Sequence, residues 1–330
     1  MNDGPPLVVA SRNGDVGITA AIETLRAGGT AIDAIEAGIH VVESNRGDTS
    51  VGLGGLPNLL GQVELDASIM DGSTRAAGAV GAVHGYEHPI TIARRVMEDL
   101  PHVTLVGPGA EQFAASIGMP AATLLTPETR ALRTKHMEER LNGDITAIEA
   151  LQLLSNEIDP DPAEVTRFVK RMLNPHRNTG TVNFIARDQQ GNIASGVSTS
   201  GWEWKHPGRL GDTPIIGGGN YADGRFGAAT CTGHGEVTTR CGTARSVVLH
   251  LQRGLSVRDA VEQAALDTED LDDPHSGGVE ILAMSAGGDV AAAMTGPPGT
   301  DETRNFVLQT TDMATFEVRS RELVTSSTPS

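Results

Sequence analysis

The chain has 330 residues, 38% of them hydrophobic and 40 of them glycine, with a formal net charge of −17. That length holds one large domain or two ordinary ones, and the glycine content suits a compact α/β chain with many tight turns. The acidity excludes nucleic acid and anionic membrane as partners, and no run of 18 apolar residues exists to span a bilayer. Met1–Pro6 lacks the basic and apolar regions of a signal peptide, so a cytoplasmic protein is expected. Lys135, Lys170 and Lys205 are the only lysines, which leaves arginine to supply most of the positive charge. Cys231 and Cys241 are too few for a disulfide framework, and no Cys/His set has zinc spacing.

In chain order, Leu7–Ser11 reads as a buried strand. A helix over about 18–26 follows, closed by Gly28-Gly29, and Thr30 caps a second helix that runs to about Glu43. The glycine-rich stretch Ser50–Pro57 neither follows a strand nor ends in Lys-Ser/Thr, so it reads as a tight loop beside a site and not as a phosphate loop. Residues 63–72 and 75–83 read as paired strands, 89–100 as a helix with proline at its start, 103–107 as a strand and 109–117 as a helix. From 120 to 179 the pattern becomes charged. Helices are expected at 127–140, 146–157 and 162–173, broken by Asn142-Gly143 and Pro160-Asp161-Pro162, and the region reads as a mobile connector. Beyond it come a strand from Thr181, a turn at 188–192 and a strand at 193–198. A loop at 201–219 and a strand at 226–230 follow. Helices are expected at 240–253 and 256–266, strands at 278–284, 289–294, 306–310 and 315–318, and disorder after Val324. This order departs from regular βαβ alternation and favours two sheets covered by helices.

The junction at Gly180-Thr181 carries the chemistry. An amino-terminal threonine is a self-sufficient nucleophile: its hydroxyl attacks and its own α-amine takes the proton. That amine has a pKa of about 7.7–8.0, close to working pH. To use the device the chain must break between Gly180 and Thr181; the bland alternative is an ordinary strand start. Thr179 offers a competing register. Thr230–Glu236 reads as a tight turn that supplies a hydroxyl and glycine amides to an oxyanion. Thr199, at the far end of the next strand, returns to the neighbourhood of Thr181. Arg209 and Asp212 offer one cation and one anion for an amino-acid substrate, or else a surface ion pair.

In combination these residues resemble the threonine amino-terminal-nucleophile (Ntn) hydrolases of the isoaspartyl peptidase / plant-type asparaginase / glycosylasparaginase family. The resemblance runs over nearly the whole chain and is carried by Ser50–Pro57, Leu65–Gly72, His102–Gly107, Gly208–Gly217 and Thr230–Glu236. It implies an α+β fold, the four-layer αββα sandwich, divided by autocleavage into 1–180 and 181–330 and paired as a homodimer of such αβ units. Thr181 matches the nucleophile, because in the family it lies ten residues before the hairpin glycine, here Gly191. Thr199 matches the threonine that tunes it, Thr232 and Gly233 the oxyanion hole, and Arg209, Asp212 and Gly235 the binders of the substrate's α-carboxylate and α-ammonium. Ser50, Arg12 and Asn183 are expected beside these contacts. No cofactor is required; a structural sodium ion in the loop at about 52–64 is expected by resemblance alone.

Three departures stand out. Arg12 occupies the place where glycosylasparaginases carry a tryptophan, Gly180 precedes the threonine where that branch has aspartate, and Asn183 replaces a glycine. The first two favour β-aspartyl peptides or L-asparagine over the glycosylasparaginase substrate, N4-(β-N-acetylglucosaminyl)-L-asparagine. The third keeps open an unprocessed, non-catalytic relative that acts as a binding protein.

Overall fold

The computed structural model describes residues 4–173, 180–271, 273, 277–296 and 305–325. Asn178, Thr179 and the tail from residue 326 fall outside the described residues. Strand β1 (Leu7–Ser11) leads into α1 (Asp15–Arg26) and α2 (Ala31–Glu43). Helix α1 begins a turn earlier than the sequence suggested, with Asp15 in its first turn, where an acid complements the helix dipole. Helix α2 starts where expected: the Thr30 hydroxyl accepts from Asp33 N and the Asp33 carboxylate accepts from Thr30 N, a reciprocal capping box. Next come β2 (Leu65–Asp71), β3 (Ala77–Val83), α3 (Pro89–Asp99), β4 (Thr104–Val106) and α4 (Gly107–Ser116). The charged region forms α5 (Pro127–Arg140), α6 (Ile145–Leu154) and α7 (Pro162–Met172), capped by Thr126, Asp144 and Asp161. These helices bury a cluster of their own, in which Met137, Leu151 and Phe168 pack with Leu59 and Trp204.

Strands β5 (Val182–Arg187) and β6 (Ile193–Thr199) form the expected hairpin. The remaining elements are β7 (Asn220–Asp223), β8 (Gly227–Gly233), α8 (Gly235–Cys241), α9 (Thr243–Gln252), α10 (Val257–Glu269), β9 (Val279–Ser285), β10 (Val290–Met294), β11 (Asn305–Thr310), β12 (Glu317–Ser320) and β13 (Glu322–Leu323). The single helix expected over 240–253 is instead two helices. Gly242, at φ +59°, is left-handed and ends α8 before α9 begins. Nor is Thr230–Glu236 one tight turn: Thr230–Gly233 complete strand β8, and Gly235 opens α8.

The chain is mixed α+β, with two sheets. One has eight strands in the order β12-β11-β1-β5-β6-β2-β3-β4; the other has five, ordered β13-β10-β9-β8-β7. Strand alternation assigns the faces. Val8 and Ala10 pack with Ile18, Ile22 and Ile35 of α1 and α2, while Leu7 and Val9 pack with Ala228, Leu282 and Met284 of the other sheet. On β8, Ala229 and Cys231 turn to α9 and α10, which leaves Thr230 and Thr232 facing the eight-stranded sheet. On β5, Phe184 and Ala186 turn to the helices and Ile185 to the second sheet. Thr181 and Asn183 share the face of Ile185. Among the described residues no helix is long and apolar enough to cross a membrane.

Candidate active site

The site lies where β5 begins. Register pairs Val182 with Ser198, so Thr181 falls opposite Thr199 at the end of β6. Thr181 is buried. The Thr199 hydroxyl lies 3.3 Å from the Gly180 carbonyl oxygen and 3.4 Å from that of Ser50, and it accepts from Gly201 N at 3.0 Å. The Thr181 carbonyl is approached by two hydroxyls, Ser11 Oγ and Thr232 Oγ1, each at 3.4 Å. A Cβ on Gly180 would lie 3.1 Å from Ser50 Oγ. Ser50 N donates to Asp48 at 2.8 Å, and Asn13 Nδ2 donates to the other oxygen of the same carboxylate at 2.9 Å. A cavity of about 480 Å³ opens beside Gly180, lined by Asn13, Asp48, Ser50, Arg140, Glu203 and others.

The second part of the site comes from the loop before β7 and the start of α8. Arg209 Nε and Nη2 donate to Glu236 Oε1 and Oε2 at 2.9 and 2.8 Å, and the guanidinium lies 4.5 Å over the Trp202 ring. Asp212 is buried, and one of its carboxylate oxygens meets no partner among the described residues. Burial pushes its pKa up to about 6, against the opposing hydrogen bond from Thr238 and the positive charge of Arg209. Gly235 makes this packing possible, since a Cβ on it would sit 2.8 Å from both Asp212 N and Oδ1. Gly233 ends β8 next to Thr232.

A family model described as asparaginase matches residues 13–304. The chain belongs to this asparaginase family. Among its relatives, the isoaspartyl peptidase/L-asparaginase of Mus musculus is 38% identical over 252 residues, covering 76% of this chain and 68% of that protein. The N(4)-(beta-N-acetylglucosaminyl)-L-asparaginase of Elizabethkingia miricola is 37% identical over 262 residues, 78% of this chain and 68% of its own. That of Mus musculus is 34% identical over 261 residues, with 76% and 73% covered.

Within this asparaginase-family chain the sequence-derived residues form two groups. Gly180, Thr181, Thr199, Ser50, Thr232 and Asn183 meet around the start of β5. Arg209, Asp212 and Gly235 meet around the start of α8. Arg12 joins neither; its guanidinium pairs with Asp15, one helical turn on. The residues beside it, Ser11 and Asn13, make the contacts instead. Sequence reasoning also gave no role to Glu236, Trp202 or Lys205. Glu236 had a signal, lying in the quoted Thr230–Glu236 stretch and opposite in charge to Arg209. Lys205 had another: as one of three lysines in an acidic chain, it is fully buried, donates to the Glu64 carbonyl at 3.2 Å and stands 3.7 and 4.0 Å from the carboxylates of Glu64 and Asp66. Such a charge is kept only where anions surround it.

Proposed function

We propose that this protein is a self-processing threonine amidohydrolase that cleaves the side-chain amide of aspartyl units, β-aspartyl peptides and L-asparagine. The observation that carries the reading is the Thr199 hydroxyl at the Gly180 carbonyl, directly before Thr181. In processing, Thr181 Oγ1 bonds to the Gly180 carbonyl carbon while the C–N bond to Thr181 breaks. The resulting ester takes up water, which leaves a carboxylate on Gly180 and a free α-amine on Thr181. In turnover that amine takes the hydroxyl proton and Oγ1 attacks the substrate's β-carbonyl. Thr232 and Gly233 donate to the oxyanion, and the proton passes from the amine to the leaving nitrogen. Water then hydrolyses the aspartyl ester and restores Thr181.

The partnerless oxygen of Asp212 suits the substrate's α-ammonium, and Arg209 its α-carboxylate. Support for a β-amide bond comes from the names of the relatives on both branches. Arg12, turned away toward Asp15, offers nothing like the tryptophan of glycosylasparaginases, which favours β-aspartyl peptide and asparagine over the glycosylated substrate. The three packed clusters, helices on sheet, sheet on sheet, and sheet on helices, support the four-layer αββα sandwich of the Ntn hydrolases. We further propose that residues 1–180 and 181–330 become separate subunits and that the αβ units pair as a homodimer. No step runs through a metal. A sodium ion in the loop at 52–64 would be structural and would need oxygen donors; the Gly54, Leu59 and Glu64 carbonyls there already accept from Thr129, Arg133 and Lys205.

Thr181→Ala is the test. The expected result is one full-length band on a denaturing gel and no release of aspartate from β-aspartyl dipeptide, asparagine or glycosylated asparagine, while the parent gives two bands and turns over the first two. Hydrolysis by the alanine variant would sink the reading.

A further inference from the structure

Asn183 stands two residues beyond the nucleophile, on the strand face it shares with Thr181, and is 1% exposed. Its backbone N–H donates to Ser11 Oγ at 2.9 Å, and its side-chain Nδ2 donates to Thr232 Oγ1 at 2.8 Å. Ser11 and Thr232 are the two hydroxyls that approach the Thr181 carbonyl. Asn183 thus ties the eight-stranded sheet to β8 of the other sheet at the point where the reaction takes place.

A hydroxyl has one hydrogen and two lone pairs. In Thr232 the Asn183 amide occupies a lone pair, so the hydrogen is left free to face the Thr181 carbonyl. The substrate's oxyanion would form on this same side. Accepting a hydrogen bond also makes a hydroxyl a stronger donor, because linked bonds polarise one another. A group that fixes an oxyanion donor before the charge develops acts on the transition state more than on substrate binding.

We propose that Asn183 is a positioning residue that fixes the Thr232 hydroxyl as an oxyanion donor. This rests on the function proposed above, with Thr181 as nucleophile and Thr232 in the oxyanion hole. Asparagine suits the role because its amide nitrogen donates to Thr232. Aspartate, of the same shape, has no hydrogen to give when ionised. It would accept the Thr232 hydrogen, turn it away from the oxyanion and set a negative charge beside a developing one.

The test compares Asn183→Ala and Asn183→Asp, each alone and with Thr232→Val, in kcat and KM on a β-aspartyl dipeptide, with rates expressed per processed chain. Both single variants are expected to process, because the Gly180 carbonyl faces Thr199 and not Thr232. Asn183→Ala is expected to lower kcat about tenfold with KM within about twofold, as for a group one bond removed from an oxyanion donor. Asn183→Asp is expected to lose more, about a hundredfold at pH 8, despite conserving shape. In the Thr232→Val background Asn183→Ala is not expected to lower kcat further, because the group through which Asn183 acts is gone, while Asn183→Asp keeps only the loss due to its charge.

A merely structural role predicts the reverse order, with aspartate better tolerated than alanine, and additive losses of Asn183→Ala with Thr232→Val. Either result overturns the proposal, as does a loss confined to KM or a variant that stays full length. Thr181→Ala run alongside separates the two claims. If it is inactive while the Asn183 order is reversed, the function stands and the positioning role falls. If it is active, the function itself falls.

Discussion

At the scale of single residues, the function proposed above makes Asp212 a pH limit on this site. Burial raises its pKa to about 6, and it must be ionised to hold an ammonium group. Lowering the pH through 6 is therefore expected to remove the charge proposed to bind substrate. The α-amine of processed Thr181 must be neutral to act as base, and its ordinary pKa is about 7.7–8.0. A plot of log kcat/KM against pH reports both groups in the free enzyme. It is expected to rise with slope near two below about pH 6, with slope near one from there to about pH 8, and to level off above. Asp212→Asn is expected to lower kcat/KM at least a hundredfold and to abolish the lower break, leaving a single slope. A parent profile that keeps slope one down to pH 5, or a variant that keeps the break at 6, would show that Asp212 does not hold the ammonium.

At the scale of elements, the joint between α2 and α3 depends on a carboxylate with no exposure to water. Glu43, the last residue of α2, accepts from Ser198 Oγ at 2.7 Å, from Ile90 N at 3.2 Å and from His88 Nδ1 at 3.2 Å. His40, one turn earlier, stacks on His88 with ring centres 4.0 Å apart. Burial alone would lower the His88 pKa, but the hydrogen bond and charge of Glu43, with Glu87 and Glu36, raise it on balance. A histidine with a raised folded pKa gives its full stabilisation below its unfolded value of 6.5, and loses it as pH rises through the folded value. His88→Ala is therefore expected to cost about 1.5–3 kcal/mol at pH 6 and less at pH 8. Urea unfolding of the unprocessed Thr181→Ala chain at both pH values measures this, and an equal cost at both would refute the linkage. Ser198, the acceptor's third partner, lies next to Thr199 in β6, so this joint also steadies the strand that faces Thr181. Much of the element order was legible because its signals are local. Thr30, Pro89, Thr126, Asp144 and Asp161 mark helix starts by their own chemistry. Strand β7 was not legible, since Asn220–Asp223 is short and polar and is a strand through pairing with β8. Neither was the bridge from Asn183 to Thr232, because it forms between residues 49 apart on two different sheets. Gly180-Thr181 could be read, but the hold of Glu236 on Arg209 depends on how the loop before β7 meets α8.

At the scale of the whole molecule, the strand order interleaves the two halves of the chain. In the eight-stranded sheet, β12, β11, β5 and β6 come from residues after Thr181, while β1, β2, β3 and β4 come from residues before it. Strand β1 lies between β11 and β5, pairing with each, and β6 pairs with β2. All five residues of β1 are buried. Breaking the Gly180–Thr181 bond thus removes one covalent link and leaves the backbone ladders and apolar contacts between the halves in place. Apolar burial is not screened by salt, so the association is expected to be insensitive to ionic strength. Processed protein, two bands on a denaturing gel, is expected to elute from a sizing column in 1 M salt at the volume of full-length Thr181→Ala, and to separate into its two chains only in denaturant. Refolding from denaturant is expected to require both chains together, because 1–180 alone would leave β1 without either of its partners and one edge of β2 open. A native elution that resolves the two chains, or an isolated 1–180 chain that stays folded and monomeric, would contradict the interleaving as the source of their cohesion.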